Sequence, residues 1–377
     1  MQLICSRCGA EYTASADLWR CTVCAGPLEW NAPETFDRSM IDTSQPGFWR
    51  YWRAFPVSPD GAVTFNETFT PLVPIDLDGI RVNIKLDGQL PTGSFKDRGT
   101  SVLLSFLAGE GVSRVVEDSS GNAAASVAGY AARAGIECEV YAPATASPGK
   151  LVQADAYGAT VIPISGTRDD VSRAAEIAAE QSGNAYATHN WHPFFVEGVK
   201  SWAFEVWEQL GFEAPDAVIA PAGSGSIVLG AFRAFSALKA GGEIQRLPRV
   251  YAAQALSCAP LVAAIGSGAD ETSVYGRQPS LAEGIMIANP VRGRELLLAL
   301  RASNGGAVSV EEAEIKTALI DLAHKGIYVE PTSATAIGAW RKLVASGQIS
   351  ASERVVVLLT GNGLKATSAI SELLRAE

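Results

Sequence analysis

Histidine is nearly missing from this chain: there are only three, His189, His192 and His324, in 377 residues. Two of them, within HNWHP, are awkwardly spaced for a metal and read as hydrogen-bonded loop residues, and neither a Ser-His-Asp arrangement nor a pair of catalytic carboxylates emerges. Long apolar runs are absent as well. None approaches the roughly 18 residues of a membrane span, and MQLICSRCGAEY carries a cysteine pair where a signal peptide would carry its apolar core. Positive charge is in deficit: 30 Lys and Arg against 40 Asp and Glu give a formal net charge of -10 and a pI near 5.0, so the body as a whole repels nucleic-acid backbones and anionic lipid. Internal repeats, low-complexity tracts and long charge runs are lacking too. These absences predict a soluble cytoplasmic protein that binds neither membrane nor nucleic acid.

What is present is material for a large core. Hydrophobic residues make up 47% and charged residues 19%, a folded composition, and the length accommodates two large domains or subdomains. Of six cysteines, four crowd the first 24 positions as Cys5-x2-Cys8 and Cys21-x2-Cys24. Each pair is a hook that brings two sulfurs to one ion, and two hooks fill a tetrahedral site with no position left open for substrate. The spacing predicts a structural zinc ribbon over 1–30, with Cys5, Cys8, Cys21 and Cys24 as ligands and the metal supplying folding energy that so short a segment lacks. Its charges, Arg7 and Arg20 against Glu11, Asp17 and Glu29, favour an appendage that folds or docks the chain over a nucleic-acid reader. Cys138 and Cys258 read as buried small hydrophobes.

Residues 31–60, including PGFWRYWRAFPVSPDG, lack periodicity and read as an ordered linker whose Trp and Tyr side chains pack on the body. From 61 to 377 short β-branched runs alternate with helical stretches. RVNIKL, RVVED, CEVYA, TVIPI, AVIAP, RVYAAQ and VVVLLT read as strands. Helices are expected near 96–108, 121–134, 148–157, 168–182, 195–210, 226–239, 311–324, 332–346 and 364–375. The alternation predicts an α/β fold of parallel sheets flanked by helices, and in such sheets ligands bind in the loops at the carboxyl ends of strands.

Four of those loops carry chemistry. PTGSFKDRG places Lys96 where RVNIKL gives way to a helix. After RVVED, Ser119, Ser120, Gly121 and Asn122 open an Ala-rich helix; taken alone they are equally a plain N-cap or a seat for a carboxylate or phosphate. After AVIAP, Gly223, Ser224, Gly225 and Ser226 form either a phosphate cradle or a ligand-free turn, and no Walker pattern accompanies them. After VVVLL, Thr360 puts a hydroxyl at a strand end beside glycines. A lysine, an amide, a phosphate cradle and a strand-end hydroxyl suit pyridoxal 5'-phosphate: the lysine forms a Schiff base, and partial desolvation lowers its pKa so that the amine can also move the α-proton.

PTGSFKDRG, EDSSGNAAASVAGYAARAG, GKLVQADAYGA, HNWHPFFVEGVKSWAFEVWEQLG, PAGSGS, VEPTSATA and LLTGNGLK together resemble the landmarks of the threonine synthase family, of the tryptophan-synthase-β-like fold (fold type II pyridoxal phosphate enzymes), over roughly 60–370. The resemblance implies Lys96 as the Schiff-base lysine and Asn122 on the cofactor's ring hydroxyl. It likewise implies Ser119, Ser120 and Gly121 around the substrate carboxylate, Gly223 to Ser226 around the cofactor phosphate, and Thr360 facing the ring nitrogen. It further implies two subdomains within 61–377, the smaller and mobile one at about 105–195, a homodimer, and conversion of O-phosphohomoserine and water to threonine and phosphate. Lys150, Asn190 and Arg98 are the candidates to meet the leaving phosphate.

The chain departs from the family pattern at Asp87, Leu90, His192, Met286, Asn362 and Ala366. Met286 stands where an arginine is usual, and a thioether cannot pair a phosphate. Two rival readings therefore stand beside the first: an eliminase, dehydratase or replacement enzyme for another activated amino acid in specialised metabolism, and a non-catalytic binding protein.

Overall fold

The computed structural model describes residues 1–146, 148–181 and 183–375, and the side chains of Pro148 and Lys150 fall outside the described set. The chain divides into two compact units. Met1–Pro33, Ser39–Thr68 and Lys96–Ser201 make the first; Glu34–Arg38, Phe69–Phe95 and Trp202–Glu377 make the second.

In the first unit the cysteine-rich head forms a three-stranded antiparallel sheet with the strand Gln2–Cys5 between Glu11–Thr13 and Leu28–Trp30. Arg114–Glu117 and Glu137–Pro143 are the inner strands of a separate four-stranded parallel sheet, with Asn184–Tyr186 and Thr160–Ile164 at its edges. The helix Asn122–Ala134 has an unbroken buried run from Ala123 to Ala131, so its small side chains let it lie close to its neighbours. The helix Arg168–Ala179 opens with a Thr167/Asp170 capping box that satisfies two orphan N–H groups. The cysteine-rich head docks on this sheet: Trp19 meets Tyr186 and Trp191 edge-on at 5.0 and 5.5 Å and is buried with Val116 and Ala175, and Arg20 pairs with Glu176 at 3.3 Å. The linker aromatics pack as expected, Phe48, Trp49 and Tyr51 being buried and Trp49 Nε1 donating to Ser101 Oγ.

The second unit holds a six-stranded sheet in the order Gly306–Val310, Arg249–Ala255, Ala217–Pro221, Val355–Leu359, Ile80–Leu86, Leu72–Leu77. Ala217–Pro221 and Val355–Leu359 are buried at every position, which explains why both read as continuous apolar runs. The sheet is parallel except at one edge. Leu72–Leu77 is antiparallel to Ile80–Leu86 through a turn at Asp78 and Gly79, both at positive φ.

Every strand expected from the sequence is present, and most helices fall within a few residues of their expected limits. The segment expected as one helix over 195–210 is two, Pro193–Val199 and Ser201–Gln209; at their junction the Ser201 hydroxyl takes the Gly198 carbonyl at 2.7 Å. Leu72–Leu77, Asn184–Tyr186, Gly306–Val310 and the helices Pro260–Ser267 and Gly293–Ala302 are additional to the expected set. Among the described residues no helix is long and apolar enough to cross a membrane.

Candidate functional site

Lys96 is the first residue of the helix Lys96–Gly109 and is half-buried. Its helix is held at its start by Asp97, which accepts from Ser126 Oγ at 2.7 Å, and by Arg98, which is fully buried on Ser201 Oγ and over the Phe48 ring. At Gly99 a side chain would strike the Phe195 ring at 2.6 Å, so a glycine is needed for that approach. Lys96 Nζ then lies 5.5 Å from the centre of the same ring, within cation–π range of its face. Arg98, offered above as a cation for a leaving phosphate, is engaged in packing this unit.

Ser119 to Asn122 follow the strand Arg114–Glu117 and lead into the helix Asn122–Ala134; all four are half-buried, and Ser119 Oγ accepts from the Gly121 N–H. Asn190 is half-buried with its Oδ1 covered and unpartnered. Lys150 lies on the helix Pro148–Ala156, but its side chain is outside the described set.

Two residues of this unit that carry no predicted role stand out at the strand ends. Glu117, the last residue of Arg114–Glu117, is fully buried, with Oε1 at 3.0 Å from His189 Nδ1 and Oε2 covered and unpartnered. Burial first and the neighbouring Asp118 second hold its carboxyl well above the usual range, against the opposing pull of Lys96 and Arg168. Burial, with Lys96 and Arg168 as like charges, holds His189 well below its usual value. Asp118 is ion-paired with Arg168 at 2.6 Å and accepts from Ser172, while its Oδ1 is covered and unpartnered. The sequence signal for this cluster was an acidic pair directly before a small-residue helix, read above only as the tail of a strand.

In the second unit the loop Gly223 to Ser226 follows Ala217–Pro221 and opens the 15-residue helix Ser226–Ala240. Gly225 sits at φ 78°, and a Cβ on Gly223 would meet the Ile285 backbone at 2.8 Å, so neither position takes a larger residue. Ser226 Oγ is buried without a partner. A helix N-terminus, a side-chain-free cradle and an orphan hydroxyl fit a phosphate group. Thr360 is buried at the end of Val355–Leu359; its Oγ1 lies 3.0 Å from Ser333 Oγ and 3.4 Å from Glu330 Oε1, and its carbonyl accepts from the Phe95 N–H. The next peptide leads to Lys96, where the chain passes into the first unit.

Several departures from the family pattern have structural uses. His192 is buried and caps Pro193–Val199, Asn362 accepts from the Leu364 N–H, and Asp87 is buried on the Thr70 hydroxyl at 2.7 Å.

The cysteine sulfurs of Cys5, Cys8, Cys21 and Cys24 all lie within 4.8 Å of one another, Cys5 to Cys24 at 3.5 Å and Cys8 to Cys21 at 3.6 Å. A tetrahedral ion with sulfurs at about 2.3 Å spaces them by about 3.8 Å, so the donor set fits one zinc ion. Cys138 is buried, which pushes its thiol up to about 12, and Cys258 is buried as well.

Comparison with known proteins gives a consistent picture. The model for the family described as "Pyridoxal-phosphate dependent enzyme" matches residues 63–361. The threonine synthase of Methanosarcina acetivorans is 36% identical over 96% of this chain and 92% of its own length. That of Mycobacterium tuberculosis is 34% identical over 84% of this chain and 87% of its own length. Among solved structures, the serine racemase of Dictyostelium discoideum, 24% identical, shares the fold at a TM-score of 0.65 over 78% of this chain and 92% of that one. The processed threonine deaminase isoform 2 of Solanum lycopersicum, 22% identical, does so at a TM-score of 0.70 over 91% of this chain and 96% of that one.

Proposed function

Because the chain belongs to the pyridoxal-phosphate dependent enzyme family, among its threonine synthase-like members, we propose that it converts O-phosphohomoserine and water to threonine and phosphate. The observation that carries this reading is the similarity over nearly the whole chain to threonine synthases, together with a half-buried lysine and a loop suited to phosphate.

When bound, pyridoxal phosphate supplies an electron sink for the carbon next to the amino group. In the proposed assignment Lys96 attaches to the cofactor and carries protons at the α and β carbons. The amide of Asn122 faces the ring hydroxyl, and Gly223, Ser224, Gly225 and Ser226 hold the phosphate through backbone N–H groups and the Ser226 hydroxyl. Thr360 would face the ring nitrogen. Ser333 holds that hydroxyl in place: Ser333 Oγ accepts from the N–H groups of Thr360 and Gly361 at 2.9 and 3.0 Å, donates to the Gly361 carbonyl at 3.3 Å and lies 3.0 Å from Thr360 Oγ1. The Thr360 hydroxyl donates to Glu330 Oε1 at a long 3.4 Å. Ser119, Ser120 and Gly121 receive the substrate carboxylate, and Asn190 and Lys150 serve the departing group.

The ribbon is assigned one structural zinc ion held by Cys5, Cys8, Cys21 and Cys24. Cys8 beside Cys24 pushes the latter up to about 12, while against the upward push of burial hydrogen bonds from Tyr12 and the backbone lower Cys21 to about 6, and a bound cation favours the thiolate at every position. The proposed organisation is a ribbon over 1–30, a linker over 31–60 and a catalytic body over 61–377 with a smaller mobile part near 105–195, in a cytoplasmic homodimer.

The deciding experiment measures phosphate release and threonine formation from O-phosphohomoserine by the cofactor-loaded protein. Turnover with both products supports the reading. Absence of turnover, with elimination from a different activated amino acid, would replace the substrate.

A further inference from the structure

The reaction proposed above exchanges protons at carbon and at oxygen, and one lysine amine accounts for the carbon set. An oxygen leaves the γ carbon and water adds at the β carbon, and each oxygen changes its proton count. The first unit contains a buried acid-base pair to which no role has been given.

Resting on that reading, we propose that Glu117 and His189 form a proton relay beside Lys96, with His189 Nε2 as its outer end serving the leaving oxygen and the incoming water. Glu117 ends the strand Arg114–Glu117 and His189 lies three residues past the end of the adjacent parallel strand Asn184–Tyr186, on the side where parallel sheets bind ligands. Glu117 directly precedes the loop Ser119 to Asn122. The carboxyl side chain is completely covered, while the His189 side chain is 11% exposed, so the imidazole is the outer member and the carboxyl the inner one. His189 packs on Phe195 at 5.9 Å, and Lys96 Nζ lies against the same ring at 5.5 Å, so lysine and imidazole flank one aromatic plate. The other carboxyl oxygen, Oε2, is buried without a partner, so the group is not locked into a closed network.

The charged and titratable groups around the pair are Lys96, Arg168 with its partner Asp118, Tyr186 and Cys138. In this setting the carboxyl holds its proton and donates it to Nδ1, and Nε2 carries the ring proton. As the C–O bond to phosphate breaks, its electron pair stays on the phosphate oxygen. Nε2–H protonates that oxygen, and the carboxyl proton passes to Nδ1. When the water oxygen bonds to the β carbon, one water proton returns to Nε2 and Nδ1–H returns its proton to Glu117. One water is consumed and one monohydrogen phosphate is released, with no oxidant or reductant involved.

The test uses the cofactor-loaded protein with H189Q and with E117Q, whose amide keeps a hydrogen bond to Nδ1 but has no proton to pass on. Phosphate release from O-phosphohomoserine is expected to fall by about 100-fold in each variant. In the double variant it should fall within about threefold of the slower single one, because the two residues act as a unit. Exchange of the L-threonine α-hydrogen in heavy water, which reads Lys96 alone, should stay within about threefold of the unaltered protein. With only three histidines, the imidazole nitrogens can be followed by NMR, and His189 is expected to stay uncharged from about pH 6 to about pH 8. Phosphate release within about threefold of the unaltered protein in either variant, or α-exchange falling in parallel with it, overturns the relay. So does a His189 titration near its ordinary value of about 6.5. If the unaltered protein releases no phosphate, the substrate reading fails by itself, and the relay is then decided by the imidazole titration alone.

Discussion

Two clusters of buried charge, one in each unit, meet the same physical demand in opposite ways. In the second unit Lys85 and Glu205 are both fully buried and pair at 2.6 Å. Lys85 also donates to the Thr70 carbonyl and to Gln209 at 2.8 Å each, so all three of its donors are used, and Thr70 passes the chain of bonds on to Asp87. In the first unit Glu117 and Asp118 are buried with one oxygen each unpartnered, beside a histidine held neutral. A closed network serves to hold strands and helix together, whereas an open one carries an unmet demand that a ligand or a mobile proton can fill.

The comparison can be sharpened at several points. The largest effect is expected at Lys96, beside the open cluster: Lys96→Ala should abolish the cofactor's visible absorbance and lower turnover by roughly 1000-fold or more while melting changes little. Phosphate release and absorbance spectra check this, and retained turnover would remove Lys96 from the assignment. Next comes the closed cluster, where Glu205→Ala strands a buried ammonium and should cost about 3–5 kcal/mol in denaturant unfolding. A loss below about 1 kcal/mol would show that the network is dispensable.

The pH dependence of stability separates the clusters further. Glu117 has a raised folded pKa, so the stability it contributes is present below its ordinary value of 4.5 and is lost as pH rises through the folded value. His189 has a lowered folded pKa, so its contribution is present above its ordinary value of 6.5 and is lost as pH falls through the folded value. Relative to the unaltered protein, E117Q should therefore gain stability on raising the pH from about 5 to about 8, and H189Q on lowering it from about 7 to about 5, each by at most about 1.4 kcal/mol per pH unit. Smaller still is the effect of the cap: Thr167→Ala, in the capping box of Arg168–Ala179, should cost about 1 kcal/mol by thermal unfolding. Outside both clusters, metal analysis is expected to find about one zinc per chain, and chelation should loosen the ribbon, read by Trp19 fluorescence.

Much of this was legible in advance for identifiable reasons. Ala217–Pro221 and Val355–Leu359 are covered on both faces, so burial wrote them into the chain as unbroken apolar runs. The cysteine spacing carries its own geometry, and the four sulfurs meet as two hooks require. Leu72–Leu77 was not legible, because an edge strand with Pro74 and only partial burial lacks that signature. The helix Pro260–Ser267 is short and apolar on most positions, which periodicity cannot distinguish from a strand.

Local spacing and residue type suffice to read the parallel α/β class, the cysteine cluster and the strand-to-helix places of Lys96, Ser119 to Asn122, Gly223 to Ser226 and the strand-end place of Thr360, because each depends on near neighbours in the chain. That Glu117 meets His189 and that Lys85 meets Glu205 follows from tertiary packing alone. The two pairings join residues 72 and 120 positions apart, and which acid a buried base meets depends on strand order and helix packing. Those cannot be read from either residue's immediate neighbours.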